Sequence, residues 1–320
     1  MRLIIDTDPG IGSLGTDPED GLAILYALGS PGVTVEGLTL VQGNVPISHA
    51  WPNVRHLLGL AGRADVPVHV GAALPRRPDR RTMQCSWLTR REGLTSIVAS
   101  LDPPDPDAAS FLTESVLAAP GEITVVAIGP LTNIAAAVDR DPEFASALAG
   151  LVIMGGTVTA PGNITPAAEF NIWMDPEAAA AVFRSCAPIT MIGLDVCHRT
   201  RFDRHMADAA RSRGTTLATF IADSSDPWIE IMSATDGGAG LHLYDSLAVA
   251  AAIEPDLCDY RRTLVEIETG TGPAQGMTVT HTNDVLRQLL VGRDPNADVA
   301  VDVDVDRFST RFAERVLDRL

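Results

Sequence analysis

RLIIDTDPGIGSLGTDPEDGLAILYAL, residues 2–28, joins an apolar stretch rich in β-branched residues to a glycine-containing segment and then to an Ala/Leu stretch with helical spacing. Strand, loop and helix in that order are the first half of a βαβ unit. Five carboxylates, Asp6, Asp8, Asp17, Glu19 and Asp20, crowd the junction. Part of that charge suits a helix start, with Asp17 as the capping residue, Pro18 at the first helical position, and Glu19 and Asp20 in the first turn, where the helix dipole favours anions. Asp6 and Asp8 are not covered by this account. They stand two apart on an extended segment, so their side chains point the same way, and nothing basic lies near them in sequence to neutralise them. Two like charges so close are costly unless a cation sits between them, and a hard divalent ion with oxygen ligands is the natural candidate.

Outward from this stretch, β-type apolar runs recur at residues 33–40, 66–70, 123–128, 151–154 and 189–194. All but the run at 66–70 are followed by Ala/Leu-rich segments of helical spacing, such as 131–138 and 176–183, as residues 21–28 follow the first. The alternation predicts an α/β fold, a mostly parallel central sheet with helices on both faces, in which ligands bind outside the carboxyl ends of the strands. The acidic cluster sits at such an end. Residues 75–94 show no clean period and read as a long surface loop, and residues 101–107 as a second loop. Neither separates two units, so residues 1–320 read as one domain. The run ADVAVDVDVDRF, residues 297–308, reads as an edge strand with its acids facing water, because a calcium loop needs a turning backbone with glycine.

A formal charge of −17 argues against a nucleic-acid partner, whose binding draws on clustered cations. All 24 basic residues are arginine and lysine is absent. That excludes a Walker lysine, a Schiff base, and the phosphohydrolases in which paired aspartates work with a downstream lysine. No apolar run is long enough for a membrane span and the N-terminus has no basic leader, which predicts a cytoplasmic protein. Cys85, Cys186, Cys197 and Cys258 lie far apart without metal spacing and read as buried reduced thiols.

The DTDPG of the opening followed by EDGLAI resembles the signature of the inosine–uridine nucleoside hydrolase family, here with a longer loop between the two parts. The resemblance continues in family order through VQGN (41–44), VVAIGPLTNIA (125–135), VIMGG (152–156), GNITPAAEFNIWMDPEAA (162–179), IGLDVCH (192–198), YDSLAVAAAIEPD (244–256) and GMTV (276–279). It implies a Rossmann-like sheet and hydrolysis of the N-glycosidic bond of ribonucleosides to ribose and free base, in an enzyme that forms homodimers or homotetramers. It also implies a bound Ca²⁺ held by Asp8, Asp20, the backbone carbonyl of Ile128 and Asp245. Asn44, Asn163, Glu169, Asn171 and Asp245 would meet the ribose hydroxyls, with Glu19 or Asp17 beside them, and Asp8 would be the general base toward water. Amides and carboxylates suit a diol because it needs both donors and acceptors.

The chain departs from the family pattern where the leaving base would be protonated. Tyr244 stands where many members have histidine, and His242, two residues earlier, is expected on the opposite face. Trp87 and Tyr244 resemble the aromatic residues of a purine-preferring branch, which implies stacking on the base and a purine preference. Their plainer readings are a loop anchor for Trp87 and a half-buried helix-start ring for Tyr244. Asn163 after Gly162 is equally a turn residue. With the acid histidine missing, the alternative function is a calcium-dependent nucleoside or sugar binding protein without catalysis.

Overall fold

Leu3 and Ile5 of the first strand pack into one apolar cluster and Ile4 into another, so the strand is buried on both faces from its start. That pattern belongs to a parallel sheet covered by helices on each side. The computed structural model describes residues 1–236 and 240–320. In chain order its elements are β1 (Arg2–Thr7), α1 (Glu19–Gly29), β2 (Thr34–Leu40), α2 (Ile47–Leu60), β3 (Val68–Val70), α3 (Thr82–Arg91), α4 (Ala108–Ala118), β4 (Ile123–Ala127), α5 (Thr132–Arg140), α6 (Phe144–Ala147), β5 (Gly150–Met154), α7 (Phe170–Met174), α8 (Pro176–Phe183) and β6 (Ile189–Ile192). Then follow α9 (Leu194–Cys197), β7 (Arg201–Phe202), α10 (Arg204–Ser212), α11 (Thr216–Asp236), β8 (Leu241–His242), α12 (Tyr244–Ile253), β9 (Cys258–Ile267), β10 (Thr278–His281), α13 (Asp284–Leu290), β11 (Ala297–Val303) and α14 (Val305–Arg315).

Nine strands form one sheet in the order β10-β9-β11-β6-β5-β4-β1-β2-β3. The seven from β11 to β3 are parallel, while β9 runs against β11 and β10 against β9. The chain winds outward from β1 in both directions, first to β2 and β3, then back to β4, β5 and β6. Between β1 and β4 the winding reverses, and the crevice outside the carboxyl ends of these two strands is where such a sheet takes a ligand. Helices α1, α2, α12 and α14 cover one face and α4, α5 and α8 the other.

Three expectations change. The stretch 75–94 is not a plain loop: it contains α3, which buries Gln84 and Leu88, one turn apart, and is held by Gln84 donating to the Trp173 carbonyl at 2.9 Å. Ahead of it the fully buried Arg81 pairs with Glu177 and donates to the Thr269 carbonyl at 3.2 Å. A two-residue contact face leaves no periodic trace in sequence. The second change is β11, which lies between β6 and β9 rather than at an edge. A bulge between Ala300 and Asp302 breaks its alternation, and its aspartates pair with arginines, Asp298 with Arg262 at 3.2 Å and Asp302 with Arg199. Alternation reports which face is wet, not whether the strand has two neighbours. Third, all four cysteines are free, but only Cys197 and Cys258 are buried, and Cys186 is exposed. Among the described residues no helix is long and apolar enough to cross a membrane.

Candidate functional site

The acids of the opening stretch converge beyond the ends of β1, β2 and β4. Asp6, near the end of β1, accepts from Thr39 Oγ1 at 2.5 Å and from Asn133 Nδ2 at 2.8 Å. The same amide also reaches the Leu40 carbonyl, and Asn133 Oδ1 takes the Ala72 N–H. Asp6 therefore ties β1 to β2 and α5, and burial pushes its carboxyl up to about 7.

Asp8, two residues on, accepts the Asn44 N–H on Oδ2 at 2.5 Å, while its Oδ1 is buried with no partner. The backbone passes so close that Gly43 and Gly129 admit no side chain: a Cβ on Gly129 would lie 2.8 Å from Asp8 Oδ1, and one on Gly43 would overlap Oδ2. Asp20 accepts from Thr7 Oγ1 at 2.6 Å, from the Asp8 N–H at 3.0 Å and from Asn44 Nδ2 at 3.1 Å. Its place follows from α1, whose first residue is Glu19 rather than Pro18. The Asp17 carboxylate takes the Glu19 N–H at 3.0 Å.

Glu19 turns away from the cavity. Its carboxylate is fully buried and accepts the Ser246 N–H at 3.0 Å, the Asp245 N–H and the Ser246 hydroxyl. It caps α12 and thereby fixes Asp245, so its longer arm reaches a helix start and not a position facing a ligand. Asp17 lines the cavity instead. Asp8, Glu19, Asp20 and Asp245 are 0–6 % exposed. Burial is the first cause raising each pKa. Next comes the charge of Asp20 for Asp8, and for Asp245 the charges of Glu19, Asp20, Asp17 and Asp8. Asp17 is pushed up to about 7 by burial and then by Asp20.

This donor set is all oxygen, carries several buried acids that form no ion pair among the described residues, and includes a buried carboxylate oxygen without a hydrogen-bond partner. It fits a hard divalent cation. Asp8, Asp20, Asp245 and the Ile128 carbonyl are the groups available. Among the described residues no three acidic, histidine or cysteine side chains already stand together as ligands. Asp20 is drawn toward Thr7 and Asn44, and the carboxylates repel one another, so a cation would have to gather them.

Beside the acids, Asn171 donates to the carbonyls of Ile128 at 3.0 Å and Met154 at 3.1 Å. Glu169 is the N-cap of α7 and takes the N–H groups of Asn171, Ile172 and Gly156 at 2.8–3.1 Å, and burial moves it up to about 7. The helix-start role of the polar pair flanking Phe170 is one that sequence reading missed. Asn163 accepts the Phe170 N–H at 2.9 Å, closing the loop ahead of α7. Asn44, Asn163, Glu169, Asn171, Ile128 and Asp245 all line one cavity.

The rest of the cavity's lining is largely aromatic, with Trp87 and Arg91 of α3, Phe170, Trp228 and Met232 of α11, and His242 and Tyr244. Trp87 donates from Nε1 to the Gly43 carbonyl at 3.2 Å and packs against Phe170 with ring centroids 5.4 Å apart. His242 lines the same cavity as Tyr244, with ring centroids 5.4 Å apart. The expectation of opposite faces fails because Leu243 leaves the strand conformation and α12 begins at Tyr244, which brings both rings to the same cavity. Arg91, Phe170, Trp228 and Met232 were not foreseen. Trp228 stands in α11 just after Pro227, and an aromatic following a proline inside a helical pattern is the signal that could have drawn notice.

Comparison with known proteins bears on this geometry. The chain matches the family described as inosine-uridine preferring nucleoside hydrolase over residues 3–310. Uridine nucleosidase 1 of Arabidopsis thaliana is 38 % identical over 287 residues, covering 88 % of this chain and 81 % of that protein. A pyrimidine-specific ribonucleoside hydrolase of Citrobacter koseri is 35 % identical over 99 % of this chain and 98 % of its own. Among solved structures, the purine-preferring ribonucleoside hydrolase from Gardnerella vaginalis superposes with a TM-score of 0.85 at 32 % identity, covering 100 % of this chain and 99 % of that one.

Proposed function

Since the chain belongs to the inosine-uridine preferring nucleoside hydrolase family and is a nucleoside hydrolase of ribonucleosides, we propose that it works with Ca²⁺, through Asp8, at the crevice between β1 and β4. The observation that carries this reading is the unpartnered Oδ1 of a fully buried Asp8 amid buried carboxylates that form no ion pair among the described residues. Asp8, Asp20, Asp245 and the Ile128 carbonyl would hold the cation. When bound, it supplies Lewis acidity toward the ribose diol and the attacking water.

The chain's own groups do the rest. Asn44, Asn163 and Asn171 offer amides, and Glu169 and Asp17 carboxylates, around the ribose, orienting it and favouring the positive charge that the sugar ring develops as the glycosidic bond lengthens. Asp8 takes the proton of the water that adds to C1′. Asp6, held by Thr39 and Asn133, keeps the end of β1 in place and does not reach the substrate.

At the aromatic end the reading is a purine preference, supported by the surface that Trp87, Phe170, Trp228 and Tyr244 present to a flat base. The relatives' names pull in both directions, toward uridine and pyrimidines for two and toward purines for one. The test is the release of reducing sugar from inosine, adenosine, uridine and cytidine by the purified protein. Hydrolysis with inosine ahead of uridine is the expected result. Uridine ahead would remove the purine preference, and binding of nucleosides without any release would favour the non-catalytic binding protein.

A further inference from the structure

The loop between β1 and α1, residues 8–18, exceeds the roughly two to six residues usual for a strand-to-helix connection. It is tied to three helices. Toward α2, Asn53 donates from Nδ2 to the Pro9 carbonyl and to Ser13 Oγ, both at 3.1 Å, and Ser13 Oγ hydrogen-bonds His49 Nδ1 at 3.0 Å. Toward α3 and the chain that follows it, Arg91 donates to the Gly15 carbonyl at 3.1 Å, the Leu14 N–H to the Thr95 carbonyl at 2.8 Å, and the Ile97 N–H to the Gly12 carbonyl at 2.9 Å. Toward α11, the Trp228 side chain donates to the Asp17 carboxylate, and the indole N–H is the one donor that side chain has. Gly12 and Gly15 take φ of +91° and +80°, values that favour glycine. A loop cross-linked in this way is a fixed part of the fold.

Asp17 is where the loop reaches the cavity. Its Oδ1 takes the Glu19 N–H at 3.0 Å, which ties the carboxylate to the start of α1, and both Asp17 and Trp228 line the cavity. Trp228 follows Pro227, which has no N–H to give to the preceding turn, so the half of α11 that carries Trp228 and Met232 is held less firmly by its own helix. The bond to Asp17 supplies a tie from outside the helix. Ile231, one turn further on, stands over Gly15, where a Cβ would lie 3.9 Å from Ile231 Cδ1. A carboxylate that accepts an indole N–H fixes the edge of the ring and with it the direction in which the ring face points.

We propose that Asp17 is a positioning residue for substrate selection, holding the Trp228 ring at the angle at which its face meets the leaving base. The role rests on the nucleoside hydrolase reading of the same cavity and is separate from any contact of Asp17 with the ribose. The ribose is common to every ribonucleoside, so a contact with it cancels in the ratio of two substrates. A turn of the Trp228 ring does not cancel, because it alters the fit of a purine and of a pyrimidine by different amounts.

The test is kcat and KM for inosine and for uridine in the wild type, Trp228→Phe, Asp17→Asn and the double variant. Trp228→Phe keeps a ring and removes the N–H donor. It should shift the inosine-to-uridine ratio of kcat/KM by about tenfold, chiefly through KM, an effect within the range of a small misplacement. Asp17→Asn should move the ratio in the same direction by a similar factor, whatever common loss it adds on both substrates. In the double variant the ratio should move no further than in the larger single one, since both changes remove one interaction. If Asp17→Asn does not fold, Asp17→Ser takes its place in the cycle, because serine can still accept the Glu19 N–H and is too short to reach the indole. Ratio shifts that multiply in the double variant would mean that the two residues act independently and would overturn the proposal. So would a Trp228→Phe ratio within about twofold of the wild type, well short of that effect. A wild type that hydrolyses neither nucleoside overturns the nucleoside hydrolase reading itself, an outcome distinct from an unchanged ratio in an active enzyme.

Discussion

The acidic and aromatic ends of the cavity are built from different parts of the fold. Asp8 and Ile128 are the first residues beyond β1 and β4, Asn44 lies four residues beyond β2, and Asp245 stands on the first turn of α12, capped by Glu19 from α1. Each is held by backbone hydrogen bonds or by neighbours that admit no side chain. The aromatic lining comes chiefly from α3 and α11, which lie outside the sheet, with Phe170 from α7 and Tyr244 from the start of α12, and α3 buries only Gln84 and Leu88. A site that must gather repelling carboxylates needs rigid strand ends. A lining that would stack on a flat base needs only a surface, and here helices outside the sheet supply much of it. Changes at the acidic end should therefore damage turnover for every substrate, and changes at the aromatic end should shift the choice among substrates.

The largest effect expected is from Asp8→Asn, about 10²- to 10⁴-fold in kcat with a smaller change in binding, since the amide cannot take the proton. A kcat within about threefold of wild type, well short of the loss usual for a removed base, would move the base elsewhere. At the other end, Tyr244→Ala and Trp87→Ala should lower purine nucleoside kcat/KM by about tenfold or more, as base stacking contributes roughly 1–3 kcal/mol. They should lower it less for p-nitrophenyl riboside, whose leaving group needs no proton. Equal losses on both substrates would mean the rings only shape the cavity.

A smaller effect separates the two ends by pH. Burial raises the carboxyls of Asp6, Asp17 and Glu169 to about 7. A folded-state pKa above the unfolded one makes stability that is present below the ordinary carboxylate range and lost as pH rises through about 7. Asp8, Asp20, Glu19 and Asp245 shift in the same direction. The chelated protein should melt lower as pH goes from 5 to 8, and the gap to the Ca²⁺-loaded protein should widen over that range, because the cation favours the ionised cluster. A gap that stays constant with pH in scanning calorimetry would contradict this. The smallest effect expected is from Glu19→Gln with Ca²⁺ saturating, a loss of about 1 kcal/mol, typical of a weakened cap. KM should change less than kcat does in Asp8→Asn. A large rise in KM would return Glu19 to the ribose.

The acidic end was legible in sequence because its chemistry is local. Asp8 and Asp20 flank one loop, and strand and helix boundaries such as those of β1, α1 and α8 follow from runs of apolar residues. Glu19 could not be placed from sequence, since its partners, Asp245 and Ser246, are more than two hundred residues away. Glu169 looked like a group aimed only into a cavity, because a cap formed by a carboxylate ahead of a five-residue helix has no periodic signal to mark it. The aromatic end was mostly illegible. Trp87 drew attention through resemblance, but Arg91 sits in a stretch whose helix rests on two buried residues, and Trp228 reaches the cavity only through the packing of α11. The valine–aspartate run of β11 shows the same limit, since its alternation gave neither its two neighbours in the sheet nor the bulge between Ala300 and Asp302.

On the proposed reading, the buried acids beyond β1 and β4 would form a divalent-cation site on which catalysis depends. Its most direct test is the rate of inosine hydrolysis after exhaustive chelation and after Ca²⁺ is added back, with Ca²⁺ binding followed by calorimetry in the wild type and in Asp245→Ala. Activity should vanish with the metal and return with it, and the heat of binding seen in the wild type should be lost in Asp245→Ala. An unchanged rate in metal-free protein would contradict the account.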